Sequence, residues 1–340
     1  MKVHITNIYG HSSVSTALKA QNRTADIART VLNFNELGIY CYNVNADSEK
    51  MLSTRLDGII ASIGYEDIVI FQYPTWNDFR FDKSLISRMG HYRGLKKIFF
   101  VHDILSLMFE SNRCHLKEHI DFFNQADLII LPSQRMADFL YAEGLTVRKT
   151  VIQKMWDFPV TIDQTIVPKF RKVINFAGNP DLPKFEFVKD WSYDGVELKV
   201  TVDKGDWAQG KNIGFLGWFN DDISLLTALR KSGGFGLLWT SDSNWGEYMK
   251  MNANYKFSAY LAAGIPVIVS NNIAERDTVV RKNLGLAVDS LDEAVSKVAN
   301  MNERLYQDMV ASVQVFSNLI REGYFTRKCL TDAVFKLLYD

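Results

Sequence analysis

The chain has 340 residues, of which 47% are hydrophobic, and its 39 lysines and arginines balance 39 aspartates and glutamates. This composition excludes a disordered chain, and at about 150 residues per domain the length predicts two domains. A net charge of zero, without a long basic run, argues against nucleic-acid binding as the main function, because such proteins need a positive surface.

Short runs rich in Val, Ile and Phe alternate with longer segments of helical periodicity in the first half of the chain. This alternation is typical of helices that pack on the faces of a parallel sheet. The predicted strands are 3–8, 68–72, 98–101, 128–132 and 150–153, and the predicted helices are 14–34, 48–62, 79–91, 112–125 and 134–143.

A break follows, because neither periodicity is sustained between Pro159 and Pro168. The alternation then resumes. The predicted strands are 173–178, 198–202, 212–217, 235–239, 266–270 and 284–288, and the predicted helices are 221–232, 247–263, 272–282 and 290–300. Residues 303–338 predict two further helices, broken near Gly323.

The pattern therefore predicts an α/β protein of two Rossmann-like, doubly wound domains that face a central cleft. The first domain is expected at 1–158, a linker at 159–172 and the second domain at 173–315, and residues 316–340 are expected to cross back to the first domain. Open α/β sheets bind ligands beyond the carboxyl ends of their strands. Two such edges facing one another suit an enzyme with two substrates.

The chain carries no sign of export. Its three cysteines are far apart and form no Cys-x-x-Cys pair, which predicts a reducing compartment. Thr6 and Asn7 interrupt the first apolar run before a signal peptide could form. No apolar run approaches the roughly 18 residues of a transmembrane helix. We therefore expect a cytoplasmic protein.

The most informative segment is GEYMKMNANYKFSAYLAAGIPVIVS, residues 246–270. A polar opening leads into an apolar helix that stops at Gly264, and Pro266 then opens a strand. Lys256 lies at the start of this helix, where backbone N–H groups and the helix dipole favour an anion. An ammonium group at this position suits a diphosphate. The alternative is that Lys256 is an exposed lysine that only solvates the helix end.

This segment resembles the donor-binding signature of GT-B glycosyltransferases. The matching residues are Asn252, Lys256, Tyr260, Leu261, Ala262, Gly264, Pro266, Val267 and Ile268. Further segments extend the resemblance over essentially the whole chain, among them ITNIYGHSSVSTA, FQYPTW, VHDILSLMF and FAGNP. The resemblance is strongest to the accessory glucosyltransferases that extend O-linked GlcNAc on bacterial serine-rich-repeat adhesins, and it includes small galactofuranosyltransferases.

The resemblance implies a GT-B fold, a UDP-sugar donor bound mainly by the second domain, an acceptor bound mainly by the first, and no essential metal. The sequence agrees with the last point, because no Asp-x-Asp motif is present to hold a divalent ion. Side chains and helix termini must then neutralise the diphosphate. The candidate nucleotide-sugar contacts are Thr16, Gly178, Asn179, Lys184, Phe219, Glu247, Asn252, Tyr255 and Lys256.

Several of these candidates have distinct expected roles. Thr16 matches a nucleotide-contacting threonine of the family, and Gly178 lets the backbone approach a phosphate closely. Phe219 is a candidate for stacking on uracil. Ala259 replaces the carboxylate that many GT-B enzymes use to bind the ribose, so Glu247 or a backbone group is expected to take that role. Lys184 provides the charge of an expected arginine, without its bidentate geometry.

Three residues are candidates for the base that accepts the proton of the acceptor hydroxyl. His102 and Asp103 end a predicted buried strand and are expected to project into the cleft. In the alternative interpretation, Asp103 caps the next helix and His102 belongs to the core. His11, in the first strand-to-helix loop, is the third candidate, as a base or a phosphate contact.

The expected function is transfer of a hexose, with UDP-glucose as the expected donor, to a GlcNAc-modified serine-rich-repeat glycoprotein in the cytoplasm. One alternative is a galactofuranosyltransferase of polysaccharide synthesis. The other is a catalytically inert GT-B subunit that binds glycopeptide. No cofactor besides the UDP-sugar substrate is expected, and the resemblance implies a homotetramer.

Overall fold

The computed structural model describes residues 1–12 and 15–339. The chain forms two compact units: Met1–Lys154 together with Phe325–Asp340, and Met155–Tyr324. The first unit thus ends four residues before the expected position 158. The segment 159–172, expected as a linker, belongs to the second unit, which also keeps residues 316–324.

Within its described residues, the first unit contains a parallel six-stranded sheet in the order β2-β1-β3-β4-β5-β6. The strands are β1 Val3–Tyr9, β2 Asn35–Tyr40, β3 Ile68–Tyr73, β4 Lys96–Val101, β5 Leu128–Leu131 and β6 Thr150–Ile152. The helices are α1 Thr16–Leu32, α2 Glu49–Ile60, α3 Phe79–Met89, α4 Leu105–Met108, α5 Leu116–Phe123 and α6 Gln134–Ala142.

The described residues of the second unit form another parallel six-stranded sheet, in the order β12-β11-β10-β7-β8-β9. The strands are β7 Val173–Phe176, β8 Glu197–Val200, β9 Ile213–Phe215, β10 Phe235–Leu238, β11 Val267–Ser270 and β12 Gly285–Val288. The helices are α7 Asp222–Ser232, α8 Ser243–Met249, α9 Tyr255–Ala263, α10 Arg276–Arg281, α11 Leu291–Ala299, α12 Glu303–Arg321 and α13 Tyr324–Tyr339. All but the first residue of α13 lies in the first unit.

The central strands are buried on both faces, as expected for sheets covered by helices on each side. Every residue of β3, β5, β7 and β10 is buried. Strand β2 differs, because it lies at an edge and only Leu37 and Ile39 are buried. Its sequence, NELGIY, has too few apolar residues to stand out, so the sequence did not predict this strand.

The predicted strands and most predicted helices are confirmed, including the break between α12 and α13 at Gly323, whose φ is 72°. Three helix predictions were wrong in detail, of which 272–282 begins only at Arg276. A 3-10 helix occupies Glu110–His115 and the α-helix begins only at Leu116. The predicted helix 247–263 is two helices, because Asn254 caps a new one.

Each sheet has one point where the strand order reverses. In the first unit β1 lies between β2 and β3, and the chain then builds outward from β3. In the second unit β7 lies between β8 and β10. Open α/β sheets form a crevice for ligands at this reversal, outside the carboxyl ends of the two strands. Ligands are therefore expected at the loops after β1 and β3 in the first unit and at the loops after β7 and β10 in the second.

Candidate active site

The loops that follow β7 and β10 are joined by hydrogen bonds at the second unit's crevice. The carbonyl oxygen of Lys184 accepts a bond of 2.7 Å from Thr240 Oγ1 and one of 3.2 Å from Ser241 N. Ser241 Oγ in turn accepts a bond of 3.2 Å from Phe187 N. These bonds fix the 3-10 helix Pro183–Val188, which carries Lys184, beside the loop after β10.

Helix α9 begins at the same crevice. Asn254 Oδ1 accepts a hydrogen bond of 3.0 Å from Lys256 N, which caps the helix, and the residues from Phe257 to Ala263 are all buried. Tyr260 Oη accepts a bond of 2.8 Å from Ala177 N. This last bond holds α9 against the segment that leads from β7 to Gly178.

Two buried guanidinium groups hold the other end of α9. Arg230 Nη1 donates to the carbonyl of Ala263 and Arg321 Nη1 to that of Ala262, each at 3.0 Å. Cations at the carboxyl end of a helix interact favourably with its dipole. Gly264 follows with φ 85°, and a Cβ there would collide with Arg230. The glycine of the sequence signature is therefore required by both the turn and this guanidinium.

The ammonium groups of Lys256 and Lys184 share one aromatic surface. Lys256 Nζ lies 4.7 Å from the Phe185 ring centroid and 5.9 Å from that of Phe176. Lys184 Nζ lies 5.3 Å from the Phe185 centroid and 3.3 Å from that of Trp245. Both cations are thus positioned by aromatic faces. The alternative interpretation, in which Lys256 is an exposed lysine that only solvates the helix end, does not fit these contacts.

Desolvation, with a smaller effect of the Lys184 charge, lowers the pKa of Lys256 to about 8. The charged neighbour that shifts this pKa is a second cation rather than a carboxylate. Two adjacent ammonium groups at a helix N-terminus form a site whose own charges repel and which an anion would stabilise. A diphosphate matches this site in charge.

Two further predicted residues belong to this part of the second unit. Asn252 Oδ1 is buried and accepts no hydrogen bond from any residue that the structure describes. Gly178 leaves space beside Lys256, since a Cβ there would lie 3.3 Å from Lys256 Cε and 2.7 Å from the ring of Phe176. The close packing explains why a glycine stands at this position.

The remaining donor candidates occupy different surroundings. Asn179 is exposed, and its Oδ1 accepts a bond of 2.9 Å from Asp181 N. The Tyr255 ring packs at 4.6 Å from Phe158, centroid to centroid. Phe219 follows β9, the edge strand two places from β7, and its assignment to uracil stays a prediction.

Glu247 lines a cavity of about 240 Å³ beyond the carboxyl ends of β10 and β11. Its carboxylate is exposed and pairs with Lys250. Thr240, Ser243, Ser270 and Asn272 also line the cavity, which is therefore rich in hydroxyl and amide groups. Such groups can hydrogen-bond a ribose or a sugar, and Glu247 stays a candidate for the role that Ala259 cannot fill.

The candidates in the first unit, Thr16, His11, His102 and Asp103, differ in accessibility. Thr16 is exposed at the first position of α1, after the N-cap residue Ser15. His11 follows β1, and its Nδ1 accepts a bond of 2.8 Å from Ser12 N. The Thr16 assignment to the nucleotide and the His11 assignment to a base or a phosphate contact both stay predictions.

The surroundings of His102, at the end of β4, fit the interpretation that it belongs to the core. Its side chain is buried and packs on Phe100 with 4.6 Å between the ring centroids. Burial lowers the pKa of His102 to about 3, which makes the imidazole a weak base. Asp103, the next residue, is partly exposed and is the better candidate of the two.

No group of three or more His, Cys, Asp or Glu side chains is arranged to hold a metal ion in residues 1–12 and 15–339. In the same part of the chain, none of the helices is both long enough and apolar enough to cross a membrane.

Two doubly wound units with a cationic crevice in the second are the architecture of a GT-B glycosyltransferase. The fold is shared with sucrose-phosphate synthase of Thermosynechococcus elongatus, at a TM-score of 0.67 and 11% identity over 99% of both chains. It is also shared with Anabaena HepE, crystallised in complex with UDP-glucose, at a TM-score of 0.65 and 10% identity over 97% of this chain and 98% of that one.

Sequence comparison is more specific. Residues 2–155 match the N-terminal domain and residues 174–333 the C-terminal domain of the glucosyltransferase 3-like family. Glucosyltransferase 3 of Streptococcus gordonii is 44% identical over 99% of this chain and its own full length, and that of Streptococcus parasanguinis is 42% identical over the full length of both. The β-1,6-galactofuranosyltransferase WbbI of Escherichia coli is 24% identical over 98% of each. This chain belongs to the glucosyltransferase 3-like family, and it is a glycosyltransferase.

Proposed function

We propose that this glycosyltransferase transfers glucose from UDP-glucose to GlcNAc that is already attached to a serine-rich-repeat glycoprotein, in the cytoplasm. One observation supports UDP-glucose as the donor. The ammonium groups of Lys256 and Lys184 both approach the Phe185 ring, near the point where the strand order of the second sheet reverses. A diphosphate supplies the negative charge that this pair lacks.

The protein's own residues suffice for the departure of UDP. As the glycosidic bond breaks, charge develops on the β-phosphate, where Lys256, Lys184 and the first N–H groups of α9 can stabilise it. Pre-positioned charges of this kind lower the barrier without reorganisation. Transfer therefore needs no divalent metal in this proposal, and Asp103 of the first unit takes the proton from the acceptor hydroxyl.

Support for glucose as the transferred sugar comes from the relatives. Two relatives above 40% identity are glucosyltransferases, whereas the galactofuranosyltransferase is 24% identical. Glucose is therefore preferred to galactofuranose. The serine-rich acceptor and a homotetrameric assembly rest on the family resemblance of the sequence motifs. The cationic crevice argues against an inert subunit, because an inert protein gains nothing from placing two ammonium groups against one aromatic ring.

A transfer assay with purified protein tests the function. UDP-glucose, UDP-galactose, UDP-galactofuranose and UDP-GlcNAc would each be offered with a serine-rich peptide carrying O-linked GlcNAc, and with the unmodified peptide as control. Mass spectrometry should detect one added hexose only with UDP-glucose and the modified peptide. Transfer of galactofuranose instead would establish the alternative. If the protein binds the glycopeptide but transfers no sugar from any of these donors, the result would favour the inert subunit. Light scattering would test the tetramer.

A further inference from the structure

The loop after β3 holds a tryptophan in an unusual backbone conformation. Trp76 has φ 61°, in the left-handed region that bulky residues seldom adopt. The loop lies at the first unit's crevice, where the strand order reverses between β1 and β3. Strained residues of this kind persist only where their surroundings impose the conformation, and they concentrate at ligand sites.

The residues on both sides of Trp76 are anchored. Thr75 is buried, and its Oγ1 donates a bond of 2.5 Å to Asp82 Oδ1 in α3. Asn77 Oδ1 accepts a bond of 2.8 Å from Tyr42 N. The carbonyl of Trp76 itself lies 3.7 Å from the Cys41 thiol that donates to it. The backbone of the loop is thus held in place independently of the indole ring.

The indole N–H of Trp76 is unsatisfied in the part of the chain that the structure describes. Trp76 Nε1 is buried, and none of the described residues accepts a hydrogen bond from it. A buried N–H group without an acceptor is costly, and native proteins rarely keep one without a reason. The ring of His11, from the loop after β1, meets the indole edge to face with 6.1 Å between centroids. Both loops of the crevice therefore contribute a ring at one point.

The charge of this crevice indicates which ligand it takes. The loop segments GHSSVST, 10–16, and PTWND, 74–78, contain no lysine or arginine. The second unit's crevice, in contrast, carries two ammonium groups. An indole N–H and face beside an imidazole suit an uncharged ligand with hydroxyl groups, and a sugar presents both hydroxyls and an apolar face.

We propose that Trp76 is a specificity-determining residue for the acceptor: its indole Nε1 donates a hydrogen bond to a hydroxyl of the acceptor sugar, and His11 flanks that sugar. The inference rests on the proposed function, in which the acceptor ends in a sugar. In this inference the loop after β3 recognises the acceptor sugar and takes no part in binding the UDP-sugar.

Trp76→Phe tests the inference, because it keeps an aromatic ring and removes the N–H donor. The acceptor KM of the variant should rise about three- to tenfold, as expected for one neutral hydrogen bond, while the KM for the UDP-sugar stays unchanged. Trp191→Phe is the matched control. It also removes an indole donor, whose bond goes to the carbonyl of Val196 at 3.3 Å in the second unit's core. It should leave the acceptor KM unaltered even if it lowers the melting temperature.

An unchanged acceptor KM in folded Trp76→Phe would overturn the inference and leave the proposed function standing. If the wild type transfers no sugar, the proposed function fails, and calorimetric titration of the GlcNAc-bearing peptide into both proteins decides the inference. A weaker dissociation constant in Trp76→Phe would support it. Equal constants, or no binding to the wild type, would refute it.

Discussion

Lys256 Nζ lies 4.7 Å from the centroid of the Phe185 ring, which Lys184 Nζ also approaches, to 5.3 Å. Two cations that approach the same aromatic ring repel each other, and the charge of Lys184 contributes to the lowered pKa of Lys256. The arrangement is unfavourable for the protein alone and favourable once an anion binds.

Replacing Lys256 by Ala should weaken UDP binding. A hydrogen bond to a charged group contributes about 1.5–3 kcal/mol, so the dissociation constant should rise roughly ten- to a hundredfold. Isothermal titration of UDP into both proteins would measure the change. Lys282→Ala, an exposed lysine at the end of α10, is the control and should bind UDP as the wild type does. Equal affinities for wild type and Lys256→Ala would remove Lys256 from the site.

UDP binding should also depend on pH through Lys256. Because its pKa is lowered to about 8, the free protein loses this positive charge as the pH rises through that value. UDP affinity should therefore fall between pH 7 and pH 9. Lys256→Arg should bind with a flat profile over the same range, because a guanidinium stays protonated. An equally steep fall in the arginine variant would assign the titration to another group.

Gly178→Ala should weaken UDP binding without unfolding the protein. The added methyl group would lie 3.3 Å from Lys256 Cε and 2.7 Å from Phe176, so both side chains must shift. Gly195→Ala is a matched control in the same unit, since a Cβ there meets nothing within 4 Å. Titration of UDP and thermal melts of both variants would measure the effect. Wild-type affinity in Gly178→Ala would show that the crevice tolerates the methyl group.

Transfer should survive the removal of divalent metal. The sequence has no Asp-x-Asp motif, and the proposal gives the charge of the diphosphate to Lys256 and Lys184. Activity measured in excess EDTA should equal that in Mg²⁺ or Mn²⁺. Complete loss in EDTA, with recovery on adding either ion, would contradict this site.

The sequence predicted the α/β class, the positions of most elements and the approximate place of Lys256, because apolar periodicity and the signature that runs from Lys256 to YLAAG at 260–264 are local signals. It missed β2 because an edge strand needs few apolar residues. It left two interpretations of His102 open. A residue at the end of a buried strand can face the crevice or the core, and only the packing around Phe100 decides which.

Other features of the site are not readable from the sequence at all. That Arg230 and Arg321 hold the carboxyl end of α9 depends on contacts between segments that are 33 and 59 residues apart. The left-handed backbone of Trp76 likewise depends on its anchors in α3 and after β2. Neither arginine nor tryptophan carries a local mark of these roles, because nonlocal contacts create them.

The buried carboxyl of Asp82, which anchors the Trp76 loop through Thr75, should make stability depend on pH. Burial raises the pKa of Asp82 to about 7, although the hydrogen bonds from Thr75 favour the ionised form. Since the folded pKa lies above the unfolded value near 4, the group's favourable contribution is complete below pH 4 and is lost as the pH rises towards 7. The total loss is at most about 4 kcal/mol.

Asp82→Asn removes this titration and keeps an oxygen that can accept from Thr75 Oγ1. The variant should therefore gain stability relative to the wild type as the pH rises from 5 to 8, which denaturant melts at several pH values would measure. Asp121→Asn is the control, because that carboxylate is exposed on α5 and pairs with Lys117. Its difference from the wild type should stay nearly constant over the same range. A constant difference for Asp82→Asn as well would mean that Asp82 is ionised throughout, and that its hydrogen bonds with Thr75 outweigh its burial.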